Sequence, residues 1–106
     1  RFVPETDNFW GCLLKNGATL DLSTRTAELN TTGSLVGTEK NTLAFEEDGR
    51  ILVDVGTRRI GDEEVLATWP EKPSVRFLLL NRANFILEAR DTELVCVSNG
   101  TLIFVR

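Results

Sequence analysis

The feature that most constrains the fold of this sequence is the spacing of its turn-forming residues. Asn-Gly or Asp-Gly pairs at 16–17, 48–49 and 99–100 separate short apolar segments, and such pairs supply the positive φ that a tight hairpin needs. Pro70 and Pro73 argue against a strand between them. No segment keeps apolar residues at positions i, i+3, i+4 and i+7 for three uninterrupted turns. The pattern therefore predicts an all-β fold.

The apolar segments are rich in Val, Ile, Leu, Thr and Phe, which favours strands. We predict strands at 9–15, 18–22, 26–36, 42–46, 50–56, 64–69, 74–80, 84–89, 92–98 and 101–105. Eight to ten short strands are typical of a sandwich, a jelly roll or a barrel. Because 106 residues is the size of one domain, we assign 9–106 to a single core domain and 1–8 to an N-terminal extension.

The overall charge bears on the partners of the domain. Its 16 acidic and 12 basic side chains give a formal net charge of -4. Nucleic-acid-binding surfaces normally carry a basic excess, so we expect no direct binding of nucleic acid and a basic protein partner instead. No apolar run approaches the roughly 18 residues of a membrane span, so we expect no membrane partner.

The two cysteines leave two alternatives open. Cys12 and Cys96 either form a disulfide that ties the ends of the domain together or are two buried free thiols. The lack of a dense cysteine framework favours free thiols in an intracellular protein. In a secreted protein, the sequons at Asn30 and Asn99 would instead carry meaning.

The residue types of the chain argue against catalysis. The sequence has no histidine, which removes the commonest general base, the usual zinc ligand and every Ser-His or Cys-His nucleophile pair. Its glycines match no phosphate-binding motif, and two distant cysteines without histidine do not form a zinc site. We therefore predict no catalytic residues, no metal and no cofactor.

Two runs of acidic residues fall in loop-like sequence. They are Glu46, Glu47 and Asp48 in the first acidic run, and Asp62, Glu63 and Glu64 in the second. Such runs are usually solvated surface, but on an oligomer they would also form a negative rim for Lys- and Arg-rich partners. Arg58 and Arg59 precede the second run and are placed to neutralise part of it.

Two segments, 77–80 and 94–97, are apolar on both faces of a predicted strand. Such a strand must be covered on both faces, and a two-layer domain covers only one. We therefore predict a subunit interface at Phe77, Leu79, Val95 and Val97, with the N-terminal segment 1–8 as the alternative cover. On this hypothesis, Leu79→Asp dissociates the oligomer before it unfolds the subunit. Trp69 is expected in the core.

Several short motifs follow one another in a familiar order. Residues 8–15 read Asn-Phe-Trp-Gly-Cys-Leu-Leu-Lys, 66–69 read Leu-Ala-Thr-Trp, and 94–100 read Leu-Val-Cys-Val-Ser-Asn-Gly. With 29–35, 85–88 and 102–105, these motifs resemble the core domain of the nucleoplasmin family over residues 8–105. The opening also resembles the nucleoplasmin-like domains of nuclear FKBP-type prolyl isomerases.

The resemblance implies a jelly-roll subunit that assembles into a homopentamer and in some members into a decamer. It also implies a nuclear or nucleolar histone chaperone, with histones or other basic proteins as ligands. The loop containing Glu39, Lys40 and Asn41 stands where the family makes its decamer contacts. Two alternatives remain: a pentameric scaffold for a larger nuclear or RNA-associated complex without chaperone activity, and a secreted β-sandwich binding module.

Overall fold

A computed structural model describes residues 1–4, 9, 11–31 and 41–99, and the regular structure in this part of the chain is β-strand. The nine strands are β1 (Cys12–Leu14), β2 (Thr19–Asp21), β3 (Ala27–Glu28), β4 (Leu43–Phe45), β5 (Arg50–Asp54), β6 (Glu63–Thr68), β7 (Arg76–Leu79), β8 (Phe85–Ala89) and β9 (Glu93–Ser98). The all-β prediction is confirmed. The predicted strand at 101–105 and residues 32–36 of the one at 26–36 lie outside the described residues.

The strands wind in successive coils that stack on one another. β1, β2 and β3 form one coil, and β4, β5 and β6 lie parallel beside them in the same order. β7 then pairs parallel with β5. The result is three sheets with the strand orders β1-β4, β2-β5-β7 and β3-β6-β9-β8, called here the two-stranded, three-stranded and four-stranded sheets.

This topology bears on the predicted jelly roll. The strands of a jelly roll pair antiparallel, because the fold is built from Greek keys. In the described part of the chain, four strand pairs are parallel and only β6-β9 and β8-β9 are antiparallel. The jelly-roll topology is therefore not confirmed.

The pairs at 16–17 and 48–49 form corners between sheets, so the hairpins predicted there are wrong, and Gly100 of the third pair lies outside the described residues. Asn16 and Gly17 lie between β1 and β2, which belong to different sheets. Gly17 has φ of 88°, and its N–H donates to Arg50 O at 2.8 Å. The Asn16 Oδ1 atom accepts the Arg50 N–H at 2.7 Å. The corner between β1 and β2 therefore hydrogen-bonds to the corner between β4 and β5 in the next coil. In a hairpin, the turn would instead join two strands that pair with each other.

The Asp-Gly corner between β4 and β5 has a second steric requirement. Its positive φ, 57°, falls on Asp48, which tolerates this region better than most residues. A Cβ atom on Gly49 would lie 2.9 Å from the Glu46 carbonyl oxygen, so a larger residue would displace the backbone there. The Gly49 carbonyl in turn accepts the Arg76 N–H at 3.1 Å, which aligns β7 with β5.

One hairpin interrupts the parallel winding. β8 and β9 pair antiparallel around a turn in which Arg90 N–H donates to Glu93 O at 2.8 Å. β9 therefore lies between β6 and β8 in the four-stranded sheet. A bulge between Val65 and Ala67 adjusts the register of β6 against β9.

The three sheets share one hydrophobic core. Burying such a side chain contributes about 1.5–3 kcal/mol to folding. The buried members are Leu14, Leu20, Leu22, Ala27, Leu29, Leu43, Ile51, Val53, Val55, Leu66, Ala67, Trp69, Leu94 and Cys96. The predicted core position of Trp69 is confirmed.

The described N-terminal residues pair with the three-stranded sheet. Phe2 bridges Leu20 in the parallel sense, with its N–H donating to Thr19 O and its carbonyl accepting Asp21 N–H. This places residues 1–4 along β2, on the opposite side of β5 from β7. These residues therefore do not cover the apolar β7 segment.

Candidate interaction surface

Each sheet exposes one large apolar side chain on its outer face. Among the described residues these are Leu13 on β1, Leu78 on β7 and Ile86 on β8, which are 47%, 39% and 46% exposed. Single exposed leucines are common on soluble domains, so each needs further support before it indicates a contact.

Ile86 has that support because it lies on an edge strand. β8 is the last strand of the four-stranded sheet, and Ile86 pairs with Val97 of β9. Asn84 O accepts Asn99 N–H, and Arg90 N–H donates to Glu93 O, so the even-numbered residues of β8 direct their backbone groups toward β9. Hydrogen-bonded and non-hydrogen-bonded residues alternate along an antiparallel pair, so the N–H and C=O groups of Leu87 point away from β9. The strand thus combines an outward apolar side chain with an edge on which no other described strand pairs.

A charged network lies beside this apolar pair. The Arg90 guanidinium contacts Glu88 at 2.8 Å, Glu63 at 3.2 Å and Glu93 at 3.6 Å. Its side chain crosses β9, since Glu88 lies on β8 and Glu63 on β6. The carboxylates of Glu63 first and Glu88 second raise the pKa of Arg90 above its ordinary value. Val95 shares this face and is fully buried although it lies outside the core cluster.

The second acidic run is divided between two cations. Glu63 belongs to the Arg90 network, and Glu64 accepts a hydrogen bond from Arg58 at 3.1 Å. Arg58 also donates to the carbonyl oxygens of Leu22 and Arg25, so it holds the corner of the first coil. The predicted partial neutralisation of this run is confirmed for Arg58, whereas Arg59 is exposed and forms no ion pair among the described residues. Asp62 is exposed.

The first acidic run forms the corner between β4 and β5. Glu46, Glu47 and Asp48 are all exposed there, and the Glu46 carboxylate accepts the Asn16 N–H at 2.9 Å. Glu47 also lines a groove of about 420 Å³ together with Glu71 and Lys72. Glu47 and Asp48 belong to no ion pair among the described residues. The first run therefore lies at a corner as its loop-like sequence predicted, whereas Glu63 and Glu64 of the second run lie on β6, so the loop prediction is wrong for these two residues.

The four predicted interface residues lie in two different environments. Phe77 and Leu79 pack against the hydrophobic core, where Phe77 stacks on Trp69 at 5.6 Å between ring centroids. Their apolar character is thus accounted for within the subunit. Val95 and Val97 lie on the outer face of the four-stranded sheet, and Val97 is half-buried beside Ile86.

The predicted decamer loop is only partly described. Glu39 and Lys40 lie outside the described residues. Asn41 has φ of 61°, and its buried Oδ1 atom has no hydrogen-bond partner. Its N–H donates to Phe9 O, which joins this loop to the segment before β1.

No disulfide joins the two cysteines: Cys12 is half-buried on β1 and Cys96 is buried on β9. Burial raises the pKa of both thiols, because the charged thiolate is disfavoured away from water. No three cysteine, histidine or acidic side chains within the described ranges are placed to hold a metal ion. Likewise, none of the described segments forms a helix long and apolar enough to span a membrane.

A second charged network joins the N-terminal residues to the three-stranded sheet. The Arg1 guanidinium contacts the Oδ2 atom of Asp21 at 2.9 Å and also that of Asp54 on the neighbouring strand. Asp21 Oδ1 accepts hydrogen bonds from the Ser23 hydroxyl at 2.5 Å and the Ser23 N–H at 2.9 Å. The Ser23 hydroxyl first, and Arg1 in addition, hold the pKa of Asp21 below its ordinary value despite burial, which acts in the opposite direction.

This lowered pKa makes the stability of the domain dependent on acid pH. A carboxylate whose pKa is lower in the folded state stabilises the fold fully above its unfolded pKa, about 3.9, and the effect is lost as the pH falls through the folded value. We expect Asp21→Asn to cost about 1–3 kcal/mol at neutral pH and to reduce the loss of stability below about pH 4. Denaturant unfolding between pH 2 and 7 measures both, and an unchanged slope below pH 4 would contradict this assignment.

No family model, curated protein or solved structure matches this chain. The comparisons therefore identify no family, and the nucleoplasmin resemblance stays a prediction.

Two residues of this surface, Ile86 and Arg90, are not among the site residues that the sequence predicted. Ile86 was placed in a predicted strand but not assigned to a contact, although Phe85, Leu87 and Ala89 alternate with Ile86 and Glu88 and so assign Ile86 to the polar face. Arg90 was not singled out either: Glu88 and Glu93 lie close to it in the sequence, but its third partner, Glu63, lies 27 residues away. Only the pairing of β8, β9 and β6 brings the side chains of Arg90 and Glu63 together.

Proposed function

We propose that this domain is a non-catalytic assembly module whose copies associate through the outer edge of the four-stranded sheet. The observation that carries the proposal is the exposure of Ile86 on the edge strand β8, beside Val97. Association by such a module multiplies weak contacts, since linked copies bind at high effective concentration.

The physical basis is the combination of an apolar side chain with a strand edge that no described strand occupies. β8 reads Phe-Ile-Leu-Glu-Ala, with one charge and no proline, the residues that usually block edge pairing. Pairing with another copy would satisfy backbone groups and bury Ile86 together with Val97. Val97 was one of the predicted interface residues. The proposed contact therefore keeps the predicted position on β9 and replaces those on β7 with the outer face of β8.

A narrower version of the proposal comes from the nucleoplasmin resemblance. On this version the oligomer is a pentamer that binds histones or other basic nuclear proteins in the nucleus or nucleolus. The exposed carboxylates of Glu47 and Asp48 support it, because no described cation is paired with them. Binding of core-histone dimers across a salt series separates the two versions: absence of binding at low salt favours a scaffold without chaperone activity.

Ile86→Lys tests the assembly proposal, because a charged side chain on the edge strand opposes both pairing and burial. We expect the wild-type chain to show a mass of several copies in analytical ultracentrifugation and the variant to be monomeric. Folding of the variant is expected to be unchanged within about 0.5 kcal/mol, since Ile86 is exposed.

Leu13→Lys is the matched control, since Leu13 is equally exposed but lies on the two-stranded sheet. We expect it to leave the oligomer intact. A wild-type chain that is monomeric at millimolar concentration would overturn the proposal, and so would equal dissociation by both variants.

A further inference from the structure

Two arginines lie side by side on the outer face of the three-stranded sheet. Arg50 of β5 and Arg76 of β7 are partners in register, and both are exposed. Because adjacent parallel strands lie about 4.8 Å apart, their side chains leave the sheet close together.

The two guanidinium groups have no anionic partner among the described residues. The described ion pairs of the chain involve Arg1, Arg58 and Arg90, and none involves either member of this pair. Like charges on directly opposite positions of a sheet destabilise it. An anion held between the two groups would remove that repulsion and accept hydrogen bonds from both.

The next position along the same face is apolar. Leu52 and Leu78 are register partners two residues further along β5 and β7, and Leu78 is one of the exposed apolar side chains of the domain. A hollow of about 330 Å³ at the other end of the arginine pair is lined by Lys72, Pro73 and Arg76. Along β5 and β7, this face therefore changes from the arginine pair to the leucine pair within two residues.

We propose that this face docks an extended acidic segment of a partner protein. A carboxylate of the segment binds Arg50 and Arg76, and an apolar side chain two positions away in the segment packs on Leu52 and Leu78. The two-residue repeat of an extended chain, about 6.6–6.8 Å, equals the spacing of the two rows. This face is distinct from the β8 edge, so the proposal does not depend on self-association.

An acidic peptide fits the face better than a nucleic acid does. Among the described residues that line the hollow, Lys72 is the one cation besides Arg76, and Asp48 lines it as well. The chain is acidic overall, so a polyanion meets repulsion beyond this patch. The leucine row also adds apolar area that a phosphate backbone does not use.

The test is titration of the full chain with the peptide Gly-Thr-Glu-Thr-Leu-Thr-Gly, followed by amide chemical shifts. We expect shifts concentrated in 50–54 and 76–80, and binding weakened about 10-fold or more by Arg76→Gln, because a hydrogen bond to a charged group contributes about 1.5–3 kcal/mol. Arg59→Gln removes the same charge from an exposed arginine outside this face and is expected to change binding by less than about 2-fold. Unchanged melting curves would confirm that both variants are folded.

Two further probes separate acidic peptides from other anions. A peptide with Lys in place of Glu is expected not to bind. Binding of a heparin fragment or of phosphatidylserine vesicles that is tighter than peptide binding, and equally sensitive to Arg76→Gln, would overturn the peptide assignment. Equal effects of Arg76→Gln and Arg59→Gln on peptide binding would overturn the site itself.

Discussion

Leu79→Asp is expected to unfold the domain, and loss of the oligomer is expected to accompany unfolding rather than precede it. Leu79 is a register partner of the fully buried Val53 and packs against the core. The substitution removes apolar contacts and places a carboxylate in an apolar environment, at a cost of about 4 kcal/mol or more. Domains are stable by only about 5–15 kcal/mol, so a large unfolded population follows. This reverses the expectation from the sequence.

Leu78→Asp is the matched comparison, because it introduces the same charge at the adjacent residue on the outer face of β7. We expect it to cost about 1 kcal/mol or less. Circular dichroism with denaturant measures the free energy of unfolding, and ultracentrifugation measures the mass of each variant. A folded, monomeric Leu79→Asp protein would restore Leu79 to the subunit interface and contradict the inward position.

Trp69→Ala is expected to cost about 3–5 kcal/mol of stability, which is typical of a buried aromatic side chain. Trp69 is 4% exposed and stacks on Phe77, which in turn meets Phe45 edge-to-face at 5.8 Å. Its indole N–H also donates to the carbonyl oxygens of Arg90 and Asp91, both at 3.1 Å. The side chain therefore joins the core to the turn between β8 and β9.

Trp69→Phe separates these two roles. A phenyl ring keeps most of the stacking on Phe77 but has no donor for the turn, so we expect a loss of about 1–2 kcal/mol. Hydrogen exchange is expected to rise most at Arg90, whose N–H closes the turn. Equal destabilisation by both variants would show that the hydrogen bonds, and not the stacked rings, are the main contribution of Trp69.

The same local signals that identified the strands did not determine their partners. Asn-Gly and Asp-Gly pairs mark sharp turns because they accept positive φ, and this requirement is the same at a hairpin and at a corner between sheets. Whether Gly17 closes a hairpin or begins a new sheet depends on the strand that lies beside it, here β5, which comes some 30 residues later. The parallel topology was therefore not predicted.

The sequence predicted only part of the candidate surface, again because local signals do not determine which strands lie side by side. The doubly apolar 77–80 segment indicated that more than one layer covers it, but not which side chains point inward. Val97 was assigned to an interface, whereas its neighbour Ile86 was not, because their pairing joins residues on two strands of a hairpin. That an arginine at 58–59 neutralises part of the second acidic run could be predicted, since Arg58 and its partner Glu64 lie only six positions apart.

The spacing of turn-forming residues in the sequence determined that the chain is all-β and where most of its strands lie. Backbone preference and apolar alternation act within a few residues, so the sequence alone expresses them. Only the tertiary structure decided that the strands stack in parallel coils, that Leu79 faces the core, and that Arg50 and Arg76 lie side by side. Those facts depend on register between distant strands, which arises from the packing of the whole core rather than from any local preference.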